Sequence, residues 1–125
     1  MIKLVVIKRE ALEVFLELCK QVSPKENIML IRGKVKSDRA MITEFLIPPF
    51  GTYGQGFSGF SSFMIPFDLS MIGIAHSHPS GNPTPSTGDL NSPYGRIMII
   101  VGYPYGEDSI RVYNSKGEVL LHAIE

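Results

Sequence analysis

The chain has 125 residues, 44 % of them apolar, with 12 glycines and 9 prolines; this suffices for one compact domain and excludes two full-sized ones. Twelve Lys+Arg balance twelve Asp+Glu, so there is no overall cationic field for a nucleic acid or an anionic membrane, and neither is expected as a partner. Between Arg39 and Arg96 there is no Lys or Arg, whereas Glu44, Asp68 and Asp89 lie inside that stretch, so a site there suits cations better than phosphates. Cys19 is the one cysteine, which excludes an intrachain disulfide and a cysteine-based zinc knuckle and fits a reducing cytoplasm. The apolar run at residues 4–7 is too short for a signal-peptide core or a membrane span, and a soluble, unprocessed, cytoplasmic protein is expected.

Residues 2–7 are short, apolar and β-branched, as in a buried strand. From Arg9 the period changes: Leu12, Phe15, Leu16 and Cys19 repeat at helical spacing opposite Glu10, Glu13, Glu17 and Lys20, predicting an amphipathic helix to about Val22, stopped before Pro24. Cys19 then belongs to the apolar face, as a core residue. Residues 27–35 and 39–47 read as two strands joined by a turn at Lys36, Ser37 and Asp38, the second stopped by Pro48 and Pro49. Residues 50–63 interleave Gly51, Gly54, Gly56 and Gly59 with Tyr53, Phe57 and Phe60, which reads either as a surface loop with rings tucked into the core or as a substrate flap. Residues 71–75 form an apolar strand running into His76-Ser77-His78-Pro79, followed by a polar segment stiffened by Pro83 and Pro85. Strands at 97–101, 109–113 and 118–124, with a turn at 114–117, complete the chain.

Residues two apart in a strand point to the same side about 6 to 7 Å apart, so His76 and His78 can aim both imidazoles at one point. Such a pair alone is more often a hydrogen-bonded boundary feature than a metal site. Eleven positions on, Asp89 adds a carboxylate after a proline-restricted loop, and two His with one Asp leave a fourth position open, the pattern of a catalytic rather than a structural zinc site. His122 reads as a solvent-side strand residue. Ser86, three residues before Asp89, fits a helix capping box, and its hydroxyl also fits a donor to the oxyanion formed when a carbonyl is attacked.

His76-x-His78-Pro79, the spacing to Pro85 and Ser86-x-x-Asp89 together resemble the signature of the JAMM (MPN+) zinc metalloprotease family. Family members carry an upstream glutamate near a strand start, and Glu26, before the aliphatic run 28–31 and Gly33, resembles it; Glu44 and the helix glutamates are its rivals, and without the motif Glu26 would read as a solvated turn residue. The resemblance spans the chain as a single domain over residues 1–125, and residues 99–105 also look like those of small archaeal members. It implies an α/β fold, a cytidine deaminase-like mixed β-sheet flanked by α-helices with the metal at a strand end. It implies one Zn²⁺ per chain, with His76, His78 and Asp89 as ligands, Glu26 as general base and Ser86 as oxyanion donor; ligand type alone would also admit iron or another ion. The implied substrate is the isopeptide or amide bond after the C-terminal Gly-Gly of a ubiquitin-like small modifier protein, as in a deubiquitinase-like isopeptidase or desampylase, its tail docking by β-augmentation.

Alternatives within and beside the family are release of cysteine from a sulfur-carrier protein, a RadC-type protein, and a non-catalytic MPN scaffold. The long helix expected after the motif of RadC-type proteins is missing, and the cation-free stretch argues against DNA. A scaffold would usually have lost a ligand, whereas every motif position is filled. Strand edges and the aromatic segment allow a homodimer without requiring one.

Overall fold

The apolar repeat at residues 12, 15, 16 and 19 becomes the buried stripe of helix α1 (Arg9–Val22) in the computed structural model, which describes residues 1–48, 69–86 and 95–125. The aromatic segment 50–63 and the short helix expected from Ser86 onward fall on residues outside those described. Leu12, Phe15, Leu16 and Cys19 are buried, while Glu10, Glu13 and Glu17 stay exposed. The helix packs over strand β3 (Arg39–Leu46), where Phe15 stacks on Phe45 with ring centroids 4.7 Å apart. Truncating a ring so enclosed to alanine costs about 3–5 kcal/mol.

The other strands are β1 (Leu4–Ile7), β2 (Ile28–Lys36), β4 (Met71–His78), β5 (Ile97–Gly102), β6 (Ile110–Asn114) and β7 (Val119–Ile124). The β2–β3 hairpin turns on Ser37 and Asp38, with Ser37 at φ 58°. The sheet is mixed, as expected, in the order β1-β3-β2-β4-β5-β6-β7. β1 lies parallel to both β3 and β7, closing the sheet on itself, and β4 lies parallel to β5. Every strand therefore has a neighbour on both sides, and among the described residues none is a free edge along its whole length. The segment 50–63, expected to serve as flap or edge strand for a docking tail, lies outside the described residues.

The face towards α1 carries the main core, including Met29, Ile31, Ala75, Ile99 and Val101. The opposite face is also apolar: Ile28, Leu30 and Ile74 form one cluster, and Met98, Ile100 and Tyr113 another. His76 and His78 belong to this second face, because His76 pairs with Ile28 and with Ile100. His122 departs from its expected position. It shares its side of β7 with buried Leu120, opposite core residue Val5, and is half-buried, so its pKa is lowered first by loss of hydration and then by the Arg111 guanidinium. The all-apolar surroundings of that strand give no alternation from which its side could be read.

No helix among the described residues is long and apolar enough to cross a membrane.

Candidate metal centre

β4 runs three residues further than its apolar stretch, because β2 and β5 both hold its end. Ser77 N–H donates to the Asn27 carbonyl at 3.0 Å, and the parallel pairing with β5 continues to His78 and Gly102. The two histidines thus sit on one side of a fixed strand, with ring centroids 5.0 Å apart and planes at 71°. The antiparallel register pairs Ile28 with His76. Continuing that register two residues before the start of β2 brings Glu26 to the same face, across from His78. Donor atoms of Glu26, His76 and His78 all lie within 4.8 Å of one another. The rival glutamates are elsewhere: Glu44 is exposed on β3 in a pair with Arg32 at 3.3 Å, and the helix glutamates face outward.

The hydrogen bonds set the tautomers. His78 Nδ1 lies 2.9 Å from the Asn82 carbonyl, which can only accept, so Nδ1 carries the proton and Nε2 the lone pair. His76 Nδ1 lies 2.8 Å from Glu26 Oε1, so this ring too is held through Nδ1 by an oxygen. Two imidazoles presenting Nε2 on one face, each oriented through Nδ1 by an oxygen, form the donor set of a metal such as zinc. His76 is 1 % exposed, so it is held rigidly; Glu26, with 22 % of its side chain exposed, is reachable by water.

The loop after His78 is braced from three directions. Gly81 N–H and Tyr103 N–H both donate to the His78 carbonyl, at 3.0 and 3.1 Å. Gly81 takes φ +90° and crosses directly over Gly102, where a Cβ would come within 2.4 Å of the Gly81 carbonyl oxygen. Tyr113 Oη donates to the Pro83 carbonyl at 2.6 Å, and Thr84 N–H and Oγ1–H donate to Asn82 Oδ1 at 3.1 and 2.6 Å. This bracing carries the chain to exposed Ser86. Asp89, the expected third ligand, lies outside the described residues. Asn82 and Tyr113 were not legible as site residues, since Tyr113 meets the loop from thirty positions away.

Comparison with known proteins decides the family. The chain is 36 % identical over 121 residues to a probable metalloprotease of Haloferax volcanii, covering 90 % of this chain and 74 % of that protein. The chain belongs to the JAMM/MPN family. Two solved structures extend the match over the whole fold. A JAB1/MPN domain protein from Archaeoglobus fulgidus superposes with a TM-score of 0.69 at 32 % identity, covering 97 % of both chains. A protein described as carrying a JAMM metalloprotease-like zinc site in the proteasome and signalosome superposes with a TM-score of 0.70 at 31 % identity, covering 98 % of both. A Desulfitobacterium hafniense protein at 14 % identity and a TM-score of 0.63, covering 97 % of this chain and 92 % of that one, shares the fold. No protein-family model matches the chain. Glu26, His76 and His78 thus form a group that could hold a metal ion, in a chain similar to a probable metalloprotease and to a protein described by its metalloprotease-like zinc site.

Proposed function

We propose that residues 1–125 act as a single JAMM/MPN hydrolase domain, a zinc-dependent isopeptidase that cleaves the amide bond after the C-terminal Gly-Gly of a ubiquitin-like modifier. The observation that carries this reading is the convergence of Glu26, His76 and His78 within 4.8 Å on one sheet face. His76 and His78, with Asp89 as third donor, would hold the zinc. When bound, zinc supplies Lewis acidity that polarises the substrate carbonyl and makes water a better acid.

Glu26 takes a proton from water as the water oxygen attacks the carbonyl carbon. Ser86 donates a hydrogen bond to the carbonyl oxygen as negative charge builds on it. Glu26 then returns the proton to the lysine nitrogen as the C–N bond breaks, so a neutral amine leaves and the modifier ends in a carboxylate. The Glu26–His76 hydrogen bond supports this role, since it holds one carboxylate oxygen beside the imidazole. Glycines before the bond let a thin, extended tail reach a recessed centre.

The test is incubation of the zinc-loaded protein with a ubiquitin-like protein joined through Gly-Gly to a lysine side chain, alongside the same protein carrying a C-terminal cysteine adduct. The expected result is chelator-sensitive release of the modifier from lysine. Cleavage of the cysteine adduct alone would move the activity to a sulfur-carrier substrate. Stoichiometric zinc without cleavage of either would contradict hydrolysis and leave a binding module.

A further inference from the structure

Among the described residues, the buried polar or charged positions are Asn27, His76 and Ser77, and all three stand at the metal centre. His76 is accounted for by the site; Asn27 and Ser77 point the other way, into the face otherwise filled by apolar residues. They are bonded to each other twice. Ser77 N–H donates to the Asn27 carbonyl at 3.0 Å, and Asn27 N–H donates to Ser77 Oγ at 2.8 Å. The first bond extends the β2–β4 ladder one step beyond its last register pair, and in the second a side chain accepts the returning N–H. Asn27 also reaches α1, its Nδ2 donating to Cys19 Sγ at 3.5 Å. Its Oδ1 is buried with no partner among the described residues, a cost that selection for stability alone would remove by an apolar residue.

We infer that Asn27 and Ser77, tied to α1 through Cys19, form a clamp that positions Glu26 against His76 and His78. Each clamp residue is adjacent in the chain to the groups it places: Asn27 follows Glu26, and Ser77 lies between the two histidines. Glu26 otherwise hangs on the short connection between α1 and β2, where no ladder bond holds it. Two bonds across 50 residues of sequence convert that connection into a fixed extension of β2. The two residues are positioning residues and touch no substrate.

This inference rests on the reading of Glu26 as the proton carrier, and the experiment separates the two. Zinc-loaded wild type, Ser77→Ala, Ser77→Thr, Glu26→Gln and the double variant Ser77→Ala/Glu26→Gln are compared on the lysine isopeptide substrate, with zinc affinity and exchange of the Asn27 amide proton measured in parallel. Ser77→Ala is expected to keep zinc affinity within about 3-fold, to speed Asn27 amide exchange, and to lower kcat at least 10-fold with KM within about 2-fold. Ser77→Thr, which keeps a hydroxyl, restores amide protection and most of kcat. In the Glu26→Gln background Ser77→Ala is expected to cost nothing further, because the clamp acts through Glu26. An equal loss in both backgrounds, unchanged kcat in Ser77→Ala despite fast amide exchange, or a kcat loss that tracks zinc loss would each overturn the clamp. Full activity of Glu26→Gln would instead remove the base reading itself. Should Ser77→Ala fail to fold, Ser77→Cys, with similar volume and a weak acceptor, carries the same comparison.

Discussion

The Cys19 thiol is pushed up to about 11 from its ordinary value of 9.0 by burial, against smaller opposing hydrogen bonds from Asn27 and Ser77. An unfolded chain releases that proton near 9 and the folded chain holds it to about 11, so the contribution to stability is complete below 9 and is lost between the two. Two pH units correspond to about 3 kcal/mol. Denaturant unfolding of wild type and Cys19→Ala across that range is expected to show the steeper alkaline decline in wild type; parallel slopes would contradict it. At the same scale, Tyr113→Phe removes the hydroxyl that holds the Pro83 carbonyl while leaving the ring in its cluster. Zinc affinity is expected to fall about 10-fold with the melting temperature nearly unchanged, read by chelator competition. Unchanged affinity would show that the loop needs no brace there.

Among the elements, the strand end and its loop carry the site, and their contact is made at Gly102. A methyl there would press on the Gly81 carbonyl group, backbone on both sides, so the loop after His78 must shift. Gly102→Ala is expected to lower kcat/KM about 100-fold while costing far less in global stability, since misplacement by about an ångström suffices. Equal losses of stability and activity would place the effect in the core instead. The elements were largely legible: α1 from its repeat at 12, 15, 16 and 19, and the histidine pair from the alternation of a strand. Glu26 was legible only through the family resemblance, because its local sequence reads as a turn and only the β2–β4 register brings it to the histidines. The clamp at Asn27 and Ser77 and the Tyr113 brace join residues 50 and 30 positions apart, and nothing local announces either. His122 was misread because its strand offers no polar alternation.

Across the whole molecule, the closure of the sheet through β1 and β7 was not visible in the sequence, since two parallel pairings of the same short strand depend on the path of the entire chain. That closure and the packing of α1 build the main core on the face away from the histidines. The fold is therefore expected to stand without a metal, unlike a zinc finger. Removal of zinc with a chelator is expected to abolish activity and leave one cooperative unfolding transition. The stability lost is set by mass action, about 4 kcal/mol at zinc a thousandfold above its Kd. Unfolding of the apoprotein at 25 °C would make the centre structural.

In the proposed mechanism Glu26 moves the proton at a zinc centre held by His76 and His78. This role is tested most directly by comparing zinc content and single-turnover cleavage of the Gly-Gly-lysine isopeptide in wild type and Glu26→Gln. One zinc in each protein and a rate at least about 100-fold lower in the variant are expected. A fully active, zinc-loaded Glu26→Gln would contradict it.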